Sequence, residues 1–146
     1  MTKAESAQLS PARRAEMIEF LPRLRRFTRS LALDPDVGDD LAQATIERAL
    51  TSLSGFQPGT RLDSWMYRIA QNLWIDLKRS ERTRGVTVPV EDLVDVSGED
   101  GRNTTDARLT LAATRRAIEG LADELRMVVM LVLVDGNSYP TAAETL

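Results

Sequence analysis

Neither histidine nor cysteine occurs among the 146 residues of this chain, and those two absences remove most site chemistry. An imidazole general base, a Ser-His-Asp triad, a Cys-His nucleophile and the Cys/His zinc sites each need one or the other. Disulfides are impossible without cysteine. Carboxylates do occur as neighbours, at Asp39-Asp40, Glu91-Asp92 and Glu99-Asp100. Sequence neighbours on a helix point in different directions, and none of these pairs is flanked by a phosphate-cradling glycine loop or a metal-ligand spacing. No catalytic residue, metal site or cofactor is expected, and the chain is not expected to be an enzyme. What remains is arginine beside aromatic. Between Gly55 and Arg84, six cations (Arg61, Arg68, Lys78, Arg79, Arg82 and Arg84) face only Asp63, Asp76 and Glu81, a local +3 in a chain of net charge −3. Phe56, Trp65, Tyr67 and Trp74 share that stretch. Rings stack on unpaired bases and cations neutralise phosphates, so the combination suits single-stranded or opened nucleic acid. Taken alone the residues favour a second description, an amphipathic core helix with a solvated basic end, because charge runs on helices are usually solvated faces.

The elements that must carry these side chains are helical. Met17, Phe20, Leu24, Phe27 and Leu31 recur at three- and four-residue steps, predicting a helix over 11–33 with one apolar stripe. Pro22 is expected to kink it or to begin its second half. Asp34 then reads as an N-cap with Pro35 at the first helical position, opening a second helix to about Leu53. Leu41, Ile46, Leu50 and Leu53 would be its buried face, and Asp39, Asp40, Gln43, Glu47 and Arg48 its polar one. Taken alone, that polar face is a solvated acidic surface stabilised by the helix dipole. Gly55, Pro58 and Gly59 mark a loop. Thr60 and Asp63 have capping-box spacing for a third helix starting near Arg61, with Leu62, Met66, Ile69, Leu73 and Leu77 inward. Ser64, Tyr67, Arg68, Gln71, Asn72 and Trp74 would then flank that stripe or face away from it, with Trp65 on the boundary. Asparagine and glutamine read base edges through paired donor and acceptor groups.

The predicted fold class is all-α: a helical bundle over residues 11–84, an acidic linker over 85–107 and a smaller helical unit over 108–146. In that last unit Asp123 is expected to cap the helix carrying MVVMLVLV, Gly136 to end it, and Ser138 to cap a final helix with Pro140 in its first turn. At 39 residues the unit is near the size below which a domain rarely folds unaided. Charge alternates along the chain: +4 over residues 1–30, −4 over 31–60, +3 over 61–90, −4 over 91–108 and −2 over 109–146. Such blocks suggest separate surfaces for separate partners. No apolar run approaches the roughly 20 residues of a membrane span, and MTKAESAQLSPARRAEM lacks the apolar segment of a secretory signal. A cytoplasmic protein without membrane insertion is expected.

The order of segments carries more than any one of them. DDLAQATIERAL, then GFQPGTRLDSWMYRIAQNLWIDLKR, an acidic spacer, and LADELRMVVMLVLVDGNSYPTAAETL together resemble the bacterial RNA polymerase sigma factors. The match is to the small two-domain, extracytoplasmic-function type, over roughly residues 14–146. The resemblance implies that residues 11–84 form sigma domain 2 and 108–146 part of sigma domain 4. It places Asp39, Asp40, Leu41, Gln43, Ala44 and Arg48 at or near a contact with the coiled coil of the core polymerase clamp. The loop from Phe56 to Ser64, including Arg61, matches the one that captures a base flipped out of the minus-ten promoter element. Trp65, Tyr67, Arg68, Gln71 and Asn72 match the segment that melts and reads that element, with Lys78, Arg79 and Arg82 near backbone phosphates. An anti-sigma factor is a further implied partner, and the apolar MVVMLVLV helix is where it is expected.

The chain departs from the family pattern twice. Ala44 stands where an acidic residue usually follows the glutamine, which implies either weaker core binding or a load shifted to Asp39 and Asp40. SYPTAAETL matches the first helix of a helix-turn-helix, where Asn137, Pro140 and Ala142 replace bulkier or acidic residues. A helix-turn-helix reads DNA through its second helix; none follows, so an incomplete chain that does not read a minus-thirty-five element is expected. The leading expectation is a transcription initiation factor that binds core polymerase and opens promoter DNA at the minus-ten element. The alternative is a sigma-like decoy that binds an anti-sigma factor and never contacts DNA.

Overall fold

The computed structural model describes residues 9–57, 59–85 and 102–146, and the regular structure among them is helical throughout. In order these are α1 (Pro11–Ala32), α2 (Pro35–Thr51), a 3-10 turn over Leu53–Gly55, α3 (Leu62–Arg84), α4 (Arg102–Glu119), α5 (Asp123–Val129), a π-helical turn over Met130–Val134, and α6 (Tyr139–Thr145). The all-α expectation holds. Pro58 and most of the expected acidic linker lie outside the described residues, and α4 begins at Arg102, inside the stretch expected to be linker.

Ser10 caps α1 by accepting the Arg13 N–H at 3.2 Å, and Leu33, at φ 60°, closes it. The expected stripe of Met17, Phe20, Leu24, Phe27 and Leu31 is buried in full, and α1 continues across Pro22 without a break. As expected, Asp34 caps α2, its Oδ1 accepting from the N–H groups of Asp36 and Val37. α2 then lies very close against α1. A Cβ built on Gly38 would fall 2.5 Å from the Arg29 Cα, so only glycine permits this approach. The buried face of α2 is accordingly small: Gly38, Leu41, Ala42, Thr45 and Ala49. Leu50 was expected inside and is exposed, while Ile46 and Leu53 are only partly covered. Small side chains let the helix backbones approach, and the larger leucines are left at the margins.

α3 departs from expectation in the same way. Its buried residues are Leu62, Met66, Tyr67, Ala70 and Trp74. Ile69 and Leu73 are half-buried, and Leu77 is exposed. The two rings displace the aliphatic residues because Tyr67 fits edge-on against Phe20 and tilted against Phe27, with centroids 4.9 and 4.6 Å away. The Thr60–Asp63 capping box is absent too. Arg61 is the N-cap residue and makes no side-chain cap. Asp63 instead takes two bonds from Arg61, the shorter 2.7 Å, and a longer one from Arg23 at 3.5 Å.

The C-terminal helices join the core of the first three. Met127, Met130, Leu131 and Ala142 are buried in one cluster with α1–α3, and complete burial of a leucine such as Leu131 contributes about 1.5–3 kcal/mol. Asp123, expected as an N-cap, is the first helical residue after Ala122 and makes no cap. Its carboxylate accepts from the Trp74 indole N–H at 2.8 Å and from Arg126 at 2.5 Å. Arg126 is 4% exposed. It also donates to the carbonyls of Leu121, at 2.7 Å, and Leu31, at 2.9 Å. Ser138 caps α6 as expected, accepting the Thr141 N–H at 3.2 Å, and Gly136 turns the chain at φ 70°. Beside this body α4 stands apart, leaving a groove of about 1170 Å³ against α1 and α2. Its floor includes Leu21, Leu24, Ile46 and Ile118, and its rim Arg25, Arg29 and Arg115.

Candidate nucleic-acid interface

The inward rings of α3 decide which of its side chains reach water. With Leu62, Met66, Ala70 and Trp74 inward, Arg68, Asn72, Ile75, Arg79 and Arg82 recur at three- and four-residue steps on the outside, all exposed. From Arg68 to Arg82 this line runs about 21 Å at 1.5 Å per residue, near the rise of six stacked nucleotides at about 3.4 Å each. Three guanidinium groups and a carboxamide therefore lie on one edge, supported from behind by a packed core. Glu81 takes Lys78 at 3.4 Å, and the Lys78 ammonium also lies 4.6 Å from the Trp74 ring centroid.

At the N-terminal end of that edge the loop and helix meet in an aromatic pair. Phe56 follows the 3-10 turn, Trp65 sits in the first turn of α3, and their centroids are 5.0 Å apart at 64°. Both are half-buried against the core, and the Arg13 guanidinium lies over the Phe56 ring at 4.3 Å. Trp65, open at first between core and contact, thus packs on one side and offers surface on the other.

Not every expected contact residue reaches that surface. Tyr67 is 1% exposed, its ring in the core and its hydroxyl donating to the Asp135 carboxylate; it supports the face from beneath. Ser64, Arg68 and Gln71 are met by the C-terminal helix. Arg68 donates to the Glu144 carbonyl, Thr145 Oγ1 to Ser64 Oγ at 3.1 Å, and Gln71 to the Leu146 carbonyl at 3.5 Å. Asp135 also receives the Arg23 guanidinium at 3.4 Å. Burial raises the Asp135 carboxyl above its ordinary value, and Arg23 partly opposes that shift. Sequence reasoning missed Arg13, Asp123, Arg126 and Asp135 in this role, because the partners that tie them to Phe56, Trp74, Leu31 and Tyr67 are dozens of residues away.

The second expected contact, on α2, is similarly divided. Asp40, Gln43 and Arg48 are exposed, Ala44 is half-buried and Leu41 is core. Asp39 is gripped by Arg29, at 2.7 and 2.8 Å, and by Arg25, at 2.9 and 3.0 Å. Hydrogen bonds from Arg29 and then Arg25 hold its carboxyl well below the usual carboxylate range. Asp39 therefore fastens α1 to α2 and contributes little free negative charge. In MVVMLVLV, Met127, Met130 and Leu131 are spent within the chain, while Leu133 is 75% exposed. Among the described residues no group of acidic side chains could hold a metal ion, and no helix is long and apolar enough to cross a membrane.

Comparison with known proteins agrees with this architecture. The family model for the Sigma2 domain of PhyR matches residues 17–71, the span from α1 into the middle of α3. The ECF RNA polymerase sigma factor EcfG of Rhodopseudomonas palustris is 31% identical over 135 residues, covering 92% of this chain and 73% of that protein. SigE of Mycolicibacterium smegmatis, also an ECF sigma factor, is 34% identical over 128 residues, 85% of this chain and 49% of its own. Among solved structures, the sigma factor RpoE of Bartonella quintana, in complex with the anti-sigma factor NepR, superposes with a TM-score of 0.64 at 25% identity. That match covers 90% of this chain and 81% of RpoE.

Proposed function

From a chain that belongs to the ECF RNA polymerase sigma factors, we propose a transcription initiation factor that binds core RNA polymerase and directs it to promoters through the minus-ten element. Residues 11–84 act as domain 2, and 108–146 as part of domain 4. The observation that carries this reading is the outer edge of α3, where Arg68, Asn72, Arg79 and Arg82 align beside the Phe56–Trp65 pair. Unstacking a base costs a few kcal/mol, which ring stacking at about 1–3 kcal/mol per base and phosphate neutralisation offset. Asn72 supplies base-edge contacts worth about 1–3 kcal/mol of discrimination when bidentate. The exposed Asp40, Gln43 and Arg48 of α2 meet the polymerase clamp coiled coil. Because α6 engages Ser64, Arg68 and Gln71 in the free chain, it must leave α3 before those residues read DNA. Core polymerase drives that opening by binding the separated units.

An anti-sigma factor is the natural antagonist, as NepR is the partner of RpoE in the solved complex. The groove between α4 and α1–α2 is apolar in its floor and suits the apolar face of an amphipathic helix; its Arg25 and Arg29 are already paired with Asp39, and its Arg115 with Glu119. Asn72→Ala and Trp65→Ala should each lower transcription from a cognate promoter about tenfold or more while core binding persists. Normal transcription by both variants would remove Asn72 and Trp65 from the reading face.

The decoy reading also has an observation in its favour, since the same α6 contacts cover part of the proposed reading face. Electrophoretic assay of a bubble-containing promoter with core polymerase separates the two. A ternary complex excludes the decoy; binding of an anti-sigma factor with no ternary complex establishes it.

A further inference from the structure

The N-terminal turn of α1 places a cation on the aromatic pair. The Arg13 guanidinium lies 4.3 Å from the Phe56 centroid, and Phe56 meets Trp65 edge-on at 5.0 Å. Among the described residues Arg13 has no carboxylate within ion-pair distance, unlike Arg25, Arg29 and Arg61, which are all committed to aspartates. Its backbone is fixed by the Ser10 cap, with the Arg13 N–H donating to Ser10 Oγ. Packing of Met17 and Phe20 in the turns that follow holds α1 against α3. Arg13 is thus a positioned, electrically uncommitted cation on the face of a half-buried ring.

We infer that Arg13 completes a site for one unstacked nucleotide, guarding the Phe56 face in the free chain and pairing with that nucleotide's phosphate when a base takes the face. Resting on the proposed function, this adds a phosphate contact from α1, an element outside the loop and α3 that hold the other assigned DNA contacts. The exchange has a physical basis. An exposed cation–π contact is weaker than base–aromatic stacking, so an incoming base displaces the guanidinium. Once displaced from the ring, the guanidinium is free to pair with the phosphate attached to that base. One planar cation therefore serves as lid and as anchor.

The test uses holoenzyme reconstituted from the full chain and core polymerase, with a single-stranded minus-ten oligonucleotide whose captured base is replaced by 2-aminopurine. Affinity is measured from about 50 to about 200 mM salt. Loss of one phosphate contact from a single strand lowers the salt slope by about 0.7. Arg13→Ala should therefore bind about tenfold more weakly at the low salt and, by the same slope, about fourfold more weakly at the high salt. Arg13→Lys keeps the charge and should retain the wild-type slope. Arg14→Ala, an equal loss of charge at the exposed neighbouring position, should leave affinity and slope within about twofold and about 0.2 of wild type. Phe56→Ala should abolish 2-aminopurine quenching. If wild type binds and Phe56→Ala loses quenching while Arg13→Ala keeps the wild-type slope, Arg13 has no such role and the wider function stands. Equal slope losses for Arg13→Ala and Arg14→Ala would also overturn the inference, since general charge then accounts for both. Failure of the wild-type holoenzyme to bind at all would overturn the proposed function, and this inference with it.

Discussion

Replacing Arg126 with methionine tests what holds the C-terminal helices on the first three. The side chain is 4% exposed, and its guanidinium links Asp123 of α5, the Leu121 carbonyl, and the Leu31 carbonyl near the end of α1. Methionine fills a similar volume, so the change removes bonds more than packing. Breaking a buried charged pair from one side costs about 3–5 kcal/mol. Asp123 keeps the Trp74 indole and is 35% exposed at its side chain, which puts the expected cost at the lower limit, about 3 kcal/mol. At about 1.4 kcal/mol per decade, amides of α5 and α6 that exchange through local opening should then exchange about 150-fold faster. Amides at the centre of α1 and α3 should exchange as in wild type, because the α1–α2–α3 contacts do not involve Arg126. Native-state hydrogen exchange resolved by segment reads both. Exchange in α5–α6 within threefold of wild type would refute the reasoning, because Arg126 would then not hold the units together. Uniform acceleration across α1–α3 would refute it differently, by making the two units one cooperative block.

Gly38→Ala places a Cβ against the Arg29 backbone and should destabilise the protein by about 1–3 kcal/mol, a cost of overpacking readable by urea denaturation. Asp39→Asn tests the double arginine grip through pH. A carboxyl whose folded pKa is depressed contributes stability above its unfolded value, ordinarily 3.8, and loses it as pH falls through the lower folded value. The stability gap between wild type and Asp39→Asn should therefore be constant from pH 7 to about 5 and close only in stronger acid. A gap that closes near neutrality would contradict the grip. Asp135 runs the other way. Burial raises its folded pKa, so docking of α5–α6 should weaken as pH rises through that value, and Asp135→Asn should abolish the dependence in the same exchange measurement.

The sequence was most legible where large apolar residues did the packing. The five residues of the α1 stripe stand at helical steps with arginines between them, so the buried face could not be mistaken. α2 was harder because Gly38, Ala42, Thr45 and Ala49 form its contact face, and small residues carry little hydrophobic signal. In α3 the aliphatic stripe through Ile69 and Leu73 competed with one through Tyr67 and Trp74. Ring packing against Phe20 and Phe27 decided for the second, a preference that depends on another helix. The exposed Arg68, Asn72, Arg79 and Arg82 were legible as a surface, whereas the cover over Ser64, Arg68 and Gln71 was not. Contacts such as Arg126 to Leu31 join residues 95 apart, and nothing local to either end encodes the meeting.

The π-helical turn over Met130–Val134 makes that cover a matter of counting. There the Asp135 N–H reaches back five residues to the Met130 carbonyl, at 3.0 Å, so the turn holds one residue more than an α-helical turn would. Deleting any one of the five would let the segment close as ordinary helix. Everything beyond would then turn by about 100° and draw in by about 1.5 Å. Asp135 would swing away from Tyr67 and Arg23, and the end of α6 would no longer meet Ser64 and Arg68. The identities of those residues would be unchanged, yet their pairing would be lost. The chain's length through this turn thus sets the phase in which its two ends meet.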